Sequence, residues 1–378
     1  GSVLFKDYYP DRDSFVVEGL RKAGAVIIGK STLGEMAGGD THGSLFGSTR
    51  NPYDLTRTVG GSSGGSAAAV NANFCMAAIG QEGLASIRRP AAWNSIAGMR
   101  ASAGMVSRGG VFGGWPSIIG SLGPMARTVE DMAVLLDAMV GYDPADPLTA
   151  HAVGHIPHSF THFLERDGLK RARLGVLREP MGIDSEPESE DFRKVSEVFD
   201  KAVVELRTAG AEIVDPIVVP QLNELLAKRA ASPGEGEESF RAYFGRSANP
   251  PFKSISDAVA SPEFGKTSFN TQKRLRASAD ATRYYQYLMA REELMTNLLK
   301  VMADNRLDAI VHKAVEHQPT LIEQGINPPY VLYKGAPHLN TFLVVVPVVV
   351  VPAGFTRYNL RGGIVFLGRP YDDGNMIR

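Results

Sequence analysis

The sequence predicts an α/β fold, in which helices flank one mixed β-sheet. Two stretches carry this prediction, residues 13–29 and residues 192–213. Each begins with an amphipathic helix that ends at a glycine, and each continues with a short apolar strand. Helices that alternate with strands are typical of a sheet whose faces are covered by those helices. Hydrophobic residues make up 44% of the chain, which is ample for a buried core.

The first part of the chain contains two predicted helices and one predicted strand. Residues 13–24 form a helix with Asp13 as its N-cap, and a glycine ends it. Residues 25–29, with the sequence AVIIG, form a short apolar strand of the kind that is buried in a parallel sheet. Residues 128–140 form an amphipathic helix with Thr128 as its N-cap.

The later elements complete the predicted sheet. A Pro- and Asp-rich break at residues 143–147 is the best candidate for a boundary. A long helix over residues 279–303 leads into a strand at residues 308–312. Two more apolar strands are predicted at residues 348–351 and 364–367, and a Pro-Ala-Gly turn at residues 352–354 separates them.

Composition excludes several classes of protein. The chain has 40 Lys and Arg against 41 Asp and Glu, so a nucleic-acid-binding surface is not expected. A single Cys cannot form an internal disulfide. The longest apolar run, residues 342–351, is interrupted by Pro347 and is shorter than the roughly 20 residues that span a bilayer. A cytoplasmic protein is expected. Because the chain starts at Gly1 without Met and stops at Arg378 inside an ordered segment, both ends are expected to be truncated.

Two serine-containing turns point to chemistry. Residues 60–66 read GGSSGGS, and such a run on its own is usually a flexible linker. Here, however, it leads into an Ala-rich helix at residues 67–70, an apolar strand at residues 76–79 and a second serine turn at residues 80–90. Glycines let the backbone approach a reacting centre closely, and two hydroxyls brought together suit a nucleophile and its proton partner.

These turns belong to an ordered set of motifs that resembles a known family. The segments GGSSGGS at residues 60–66, SIRRPA at residues 86–91 and GSLGPMART at residues 120–128 resemble the amidase signature family. AGAVIIGKS at residues 23–31 and VPAGF at residues 351–355 fit the same pattern. The resemblance covers nearly the whole chain, and several motifs in matching order make it specific.

The resemblance implies an amidase signature fold, with a central twisted mixed β-sheet covered by α-helices on both faces. We therefore expect a single domain over residues 1–378. Within it, residues 1–147 would form the signature core and residues 148–335 a variable region that shapes the substrate cleft. Residues 336–378 would add the C-terminal core strands.

The resemblance also implies a hydrolase with a Ser–cis-Ser–Lys triad, which cleaves C–N bonds of amides. Ser86 matches the nucleophile, and Ser62 matches the bridging serine that follows a cis peptide bond. A buried, neutral lysine would take a proton from Ser86 through Ser62 and return it to the leaving amine. Burial can keep a lysine neutral by lowering its pKa.

The turn before the nucleophile departs from the family pattern. The backbone N–H groups of Gly83, Leu84 and Ala85 are expected to form the oxyanion hole. The family usually has Asp-x-Gly-Gly here, whereas this chain has Glu82 followed by Gly-Leu-Ala. If the turn needs positive φ, these non-glycine residues would be strained. Ser63 is expected either to support the network or to cap the helix that comes after it.

The lysine is the second departure. Lys6 lies in a segment that superficially resembles the family's lysine motif. In an ungapped alignment, however, Lys6 falls after the position of the family's catalytic lysine. Lys30 aligns with a different, non-catalytic lysine of the family. The catalytic lysine is therefore expected in sequence upstream of Gly1, with Lys6 as the weaker alternative.

The expected substrates are small-molecule amides, with aryl amides and carbamates or urethanes favoured by the apolar character around Leu84, and esters as side substrates. Two alternatives stay open. One is the glutaminase subunit of a tRNA-dependent amidotransferase, which functions with partner chains. The other is a catalytically impaired homologue that acts as a binding module.

No cofactor or metal is implied, and a monomer or homodimer without nucleic-acid or membrane partners is expected. Four histidines occur within twelve residues, but Gly and Pro interrupt any helix that would align them, so a solvated loop is expected rather than a metal site. They are His151, His155, His158 and His162. Trp115 is a candidate wall of the substrate cleft.

Overall fold

The structure is a computed structural model, and most of the chain is described by it. The described residues are 1–112, 120–323, 333–337, 339–343, 345–356 and 359–378. Trp115, the candidate cleft wall, lies outside them.

The helices and strands are distributed along the whole chain, and short 3-10 helices such as Val3–Phe5 connect some of them. The helices are α1 (Phe15–Lys22), α2 (Gly64–Asn71), α3 (Arg88–Trp93), α4 (Val129–Asp137), α5 (Glu190–Thr208), α6 (Leu222–Leu226), α7 (Glu235–Phe244), α8 (Ile255–Ala260), α9 (Phe269–Arg276), α10 (Ala281–Asp304), α11 (Leu339–Phe342) and α12 (Asp373–Ile377). The strands are β1 (His42–Gly43), β2 (Gly47–Ser48), β3 (Arg50–Asn51), β4 (Asp54–Thr58), β5 (Ala77–Glu82), β6 (Ala97–Arg100), β7 (Ser121–Ala126), β8 (Arg173–Leu177), β9 (Glu212–Ile217), β10 (Ala309–Lys313), β11 (Val348–Phe355) and β12 (Arg361–Leu367).

Eight of these strands form one mixed sheet in the order β5-β7-β6-β11-β12-β10-β8-β9. Neighbours from β5 to β10 are antiparallel, whereas β8 pairs in parallel with both β10 and β9. Strands β5 and β9 are the two edges. The strands β1–β2 and β3–β4 form two small separate ladders.

Helices cover both faces of the sheet, which confirms the predicted fold class. Successive side chains of a strand point to opposite faces, and β11 shows this directly. Val350 packs in the core cluster that contains α3, whereas Val349 packs in the cluster that contains α4. Farther along the sheet, Ile364 of β12 packs with Phe199 of α5. The helix predicted at residues 279–303 is α10, within two residues at each end.

Helix α1 lies where it was predicted, but its N-cap is a different residue from the predicted one. Helix α1 is capped by Ser14, whose hydroxyl accepts a hydrogen bond from Val17 N, so the prediction of Asp13 as N-cap is wrong. Asp13 instead pairs with Arg21 at 2.7 Å. The predicted N-cap Thr128 is confirmed, since its hydroxyl accepts from Asp131 N at 3.0 Å.

The strand predicted at residues 25–29 is absent, and among the predicted elements it departs most from the structure. The segment is neither helix nor strand and belongs to no described ladder. Its apolar side chains are in solvent, with Val26 85% and Ile28 69% exposed. A strand is buried only when neighbours pair with its backbone and cover its faces, and the described chain provides no such neighbour here.

This exposed segment passes beside the edge strand β5. At its start, Leu20 of α1 packs in the cluster of α4, on one face of the sheet. At its end, the hydroxyl of Ser31 lies 2.8 Å from that of Ser66 on α2, which covers the other face. Ser66 in turn donates to Ile79 O of β5 at 2.8 Å. The chain therefore rounds the free edge of the sheet without pairing with it.

One further prediction changes in the structure. Pro352 and Gly354, predicted as a turn, lie inside β11, where a bulge absorbs them opposite β12. In the break at residues 143–147, Asp143 and Asp146 are buried, the latter against Arg108, whereas Pro144, Ala145 and Pro147 are exposed. No helix in the described part of the chain is long and apolar enough to cross a membrane.

Candidate active site

The fold brings the two serine turns into direct contact. Ser62 lies in the loop before α2, and Ser86 lies in the turn that joins β5 to α3. Ser63 N donates a hydrogen bond to Ser86 O at 3.1 Å. Ser62 is 1% and Ser86 4% exposed. The peptide bond between Gly61 and Ser62 is cis.

Thr41 holds the loop that carries Ser62 through hydrogen bonds. Its hydroxyl oxygen lies 2.8 Å from Gly60 O and 3.1 Å from Ser62 O, and it accepts a hydrogen bond from Gly64 N at 2.9 Å. Thr41 N also donates to Gly60 O at 2.9 Å. On the other side, Gly34 N donates to Ser62 O. These contacts leave the Ser62 carbonyl satisfied and hold the loop in one position.

The turn that carries Ser86 is held by Glu82, which is fully buried. One carboxylate oxygen accepts from Ile87 N and Arg88 N at 2.8 and 2.9 Å, and the other accepts from Arg88 Nε at 2.9 Å. Burial by itself would raise the pKa of Glu82, but the charges of Arg88 and Arg100 and these hydrogen bonds hold it below its usual value. Glu82 therefore stays ionised and braces the turn. Sequence reasoning noted it only as a departure from the family pattern.

The expected oxyanion donors occupy this same turn. Neither Leu84 nor Ala85 has a positive φ, so the strain expected from non-glycine residues does not arise. In the part of the chain that the structure describes, the N–H groups of Leu84 and Ala85 donate to no protein acceptor. Two backbone donors beside a serine hydroxyl are the arrangement that can bind a developing oxyanion.

Ser63 makes a contact that distinguishes its two expected roles. It stands at the N-cap position of α2, but its side chain makes no capping hydrogen bond. Instead its hydroxyl accepts from Gln81 N at 2.9 Å and lies 3.1 Å from Gln81 O. Ser63 thus links the Ser62 loop to the C-terminal end of β5, just before the turn that carries Ser86.

The hydroxyl of Ser62 is buried and has no hydrogen-bond partner among the described residues. Every lysine of the chain lies within those residues. Lys6 and Lys30 are exposed, and the buried Lys313 is directed to α5, with its Nζ 3.2 Å from Ser196 Oγ. The structure therefore brings none of these lysines to Ser62.

An apolar cluster borders the nucleophile turn. The buried Leu84 and Ala85 pack with Ala336, and the partly buried Ile183 and Tyr333 pack against them. Sequence reasoning anticipated an apolar wall at Leu84 but missed the other three. Ile183 and Tyr333 lie in the region expected to be variable, Ala336 directly follows it, and no local pattern marks any of the three.

The four histidines do not form a single cluster. His155 stacks on Tyr371 with a centroid distance of 4.4 Å, whereas the rings of His158 and His162 are 5.8 Å apart. Within the described ranges, no group of three His, Cys, Asp or Glu side chains could hold a metal ion.

A different histidine, His312 on β10, gives a test of acid stability. It is 1% exposed, and Nδ1 lies 2.7 Å from Lys313 O, so Nδ1 carries the proton. Burial and the nearby Arg88 charge lower the pKa of His312 to about 3. The folded state thus holds His312 neutral, while the unfolded chain takes up a proton below pH 6.5.

Stability is therefore expected to fall as the pH drops below 6.5, by about 1.4 kcal/mol per pH unit from this group alone. His312→Gln removes that contribution, so the difference in free energy of unfolding between it and wild type should shrink between pH 7 and pH 5. Urea unfolding at both pH values measures it. His151→Gln is the control, since His151 is exposed. A difference independent of pH would contradict a neutral His312.

Comparison with known proteins identifies the family. A family model described as Amidase matches residues 1–377. The chain belongs to the amidase family. A glutamyl-tRNA(Gln) amidotransferase subunit of Desulfatibacillum aliphaticivorans is 30% identical over all of this chain and 78% of its own length. A probable amidase of Arabidopsis thaliana is 31% identical over 97% of this chain and 69% of its own.

Solved amidase structures have the same fold. The native peptide amidase from Stenotrophomonas maltophilia superposes with a TM-score of 0.81 at 29% identity, over 100% of this chain and 77% of that one. The corresponding glutamyl-tRNA(Gln) amidotransferase subunit from Thermotoga maritima gives a TM-score of 0.74 at 27% identity, over 100% and 77%. The protein is thus an amidase signature enzyme, a hydrolase of C–N bonds, as the sequence predicted.

Proposed function

We propose that this amidase cleaves small-molecule amides with Ser86 as nucleophile and Ser62 as proton relay. The observation that carries the proposal is the buried contact between the two serine turns, in which Ser63 N donates to Ser86 O. Four independent supports, namely Thr41, Gly34, Glu82 and the Gln81 backbone, hold these turns. A nucleophile must be held close to its proton acceptor before substrate arrives.

The chemistry is a consequence of this placement. Ser86 Oγ forms a bond to the amide carbon while its proton passes to Ser62, and Ser62 gives its own proton to the base. The N–H groups of Leu84 and Ala85, with that of Gly83, stabilise the oxyanion. The proton returns through Ser62 to the nitrogen as the C–N bond breaks. Water then attacks the acyl-enzyme in the reverse sense, which frees the acid and restores Ser86.

The family resemblance assigns the base of this relay to a lysine. The Ser62 hydroxyl is buried without a partner among the described residues. None of the lysines of residues 1–378 is brought to it, since Lys6 and Lys30 are exposed and Lys313 contacts Ser196 on α5.

The substrate carries an apolar group next to the scissile bond. Leu84 replaces a glycine of the usual pattern, and its side chain adds to an apolar wall with Ile183, Tyr333 and Ala336. Burial of apolar area contributes about 25 cal/mol per Å², so this wall favours aryl or alkyl groups over polar ones. Aryl amides and carbamates fit this description.

A substrate panel tests the proposal. The purified protein is mixed with an anilide, an aryl carbamate, a p-nitrophenyl ester and glutamine, and Ser86 is followed by mass spectrometry with a fluorophosphonate probe. We expect hydrolysis of the anilide or carbamate and a phosphonyl adduct on Ser86. Absence of both would favour the binding-module alternative.

The second candidate function is a glutaminase subunit of an amidotransferase. It is favoured by the relatives at about 30% identity that carry that name. Glutamine hydrolysis that depends on co-purified partner chains would support it. The apolar wall argues against it, since the amide side chain of glutamine would meet no polar partner at Leu84 or Ile183.

A further inference from the structure

A buried ion pair between Asp40 and Arg89 links the two segments of the chain that carry Ser62 and Ser86. Arg89 Nη2 contacts Asp40 Oδ1, and the two side chains are 0% and 3% exposed. Arg89 lies on α3, three residues after Ser86, and its N–H donates to Ala85 O at 2.9 Å. Its guanidinium also lies over the ring of Trp93, 4.6 Å from the centroid.

Asp40 contacts the Ser62 loop directly. A Cβ atom placed on Gly61 would lie 2.5 Å from Gly39 O and 2.7 Å from Asp40 Cα, so the two backbones are in contact with no space for a side chain. The next residue, Thr41, supplies the hydrogen bonds that hold Ser62. Any shift of Asp40 therefore moves the loop of the relay serine.

Tyr333 connects the same pair to the apolar wall. Its hydroxyl accepts a hydrogen bond from Gly39 N at 2.5 Å, and its ring lies 5.6 Å from the Arg89 guanidinium. The ring also packs in the cluster of Leu84 and Ala85. The ion pair thus lies against the Ser62 loop, helix α3 and Tyr333 of the apolar cluster.

The energetics argue against a role in stability alone. Burial raises the pKa of Asp40 to about 8 and lowers that of Arg89 to about 9, because each charge has lost its water. Buried ion pairs are often replaceable by apolar residues with no loss of stability, so the position of this pair between the two serine turns points to a role in their geometry.

We propose that Asp40 and Arg89 are positioning residues, which set the distance between the Ser62 and Ser86 hydroxyls and thereby the rate of proton transfer. The proposal rests on the function proposed for those serines. A displacement of about 1 Å in an active site can cost about 100-fold in rate. Removal of the pair should therefore lower kcat while KM changes little, since neither residue is assigned a contact with substrate.

The test compares two variants, in each of which a buried Asp that pairs with an Arg is replaced by Asn. Asp40→Asn breaks the proposed positioning pair. Asp146→Asn breaks the buried pair of Asp146 with Arg108, whose atoms are 2.7 Å apart and whose side chains are 0% and 7% exposed. Both variants are expected to unfold at lower urea concentration. Only Asp40→Asn should lower kcat and the rate of Ser86 phosphonylation, by about 10- to 100-fold, and shift the pH profile of kcat.

Arg89→Lys provides a second variant that keeps the charge but loses the forked geometry. We expect it to fold and to show a smaller loss in kcat than Asp40→Asn. Equal labelling rates for Arg89→Lys, folded Asp40→Asn and Asp146→Asn would overturn the proposal. Failure of the wild-type protein to be labelled at Ser86 would instead overturn the proposed function, so the two failures are distinguishable.

Discussion

Ser86→Ala is expected to abolish amide hydrolysis and to remove the fluorophosphonate adduct. The hydroxyl is the only group in the proposed mechanism that bonds to the substrate carbon, so its loss removes the acyl-enzyme route. Loss of a serine nucleophile costs about 10⁶-fold in kcat where it has been measured in serine hydrolases. The rate is measured with the anilide or carbamate that the wild-type enzyme cleaves, and labelling by intact mass.

The control for this variant is Ser239→Ala. Ser239 on α7 is also buried, and its hydroxyl has no hydrogen-bond partner among the described residues. It therefore reports the effect of removing a buried hydroxyl away from the two serine turns. We expect wild-type kcat and full labelling. Retention of more than about a tenth of the wild-type kcat in Ser86→Ala would show that another nucleophile is used.

Glu82→Ala is expected to have the second largest effect, on both stability and activity. Its carboxylate binds Ile87 N, Arg88 N and Arg88 Nε inside the core. Removal of one partner of a buried ion pair typically costs about 3–5 kcal/mol, because the remaining charge has lost its counter-ion. The turn with Ser86 lies between these contacts, so labelling of the folded fraction should also slow. Urea unfolding and timed labelling measure the two effects.

Two variants control this experiment. Glu82→Gln keeps the shape and one acceptor for the backbone N–H groups, so its effect should be smaller. Glu165→Ala breaks the pair of Glu165 with Arg171, in which the two side chains are 42% and 66% exposed. Exposed pairs contribute about 0–1 kcal/mol, so this variant should resemble wild type. Equal losses for Glu82→Ala and Glu165→Ala would refute the bracing role of Glu82.

Local sequence was sufficient to predict several features. The motif GGSSGGS placed Ser62 before α2, and the strand and turn after it placed Ser86 at the start of α3. The side-chain cap at Thr128 and the long helix α10 were also predicted, because caps and apolar periodicity depend on residues within a few turns of one another.

Other features required contacts between distant parts of the chain. The apolar sequence of residues 25–29 predicted a buried strand. Whether an apolar segment is buried, however, depends on its neighbours in space. Pro352 lies in β11 because a bulge accommodates it. The cap of α1 shifted from Asp13 to Ser14 because Asp13 pairs with Arg21 instead.

The sequence by itself determined the α/β class, the family and the two serine turns, since each of these depends on short, ordered motifs. Only the tertiary structure decided which side chains support those turns. Asp40 meets Arg89 across 49 positions of the chain, and Tyr333 meets Gly39 across 294. Such pairs arise from packing of the helices on the sheet, which brings together residues that share no local pattern.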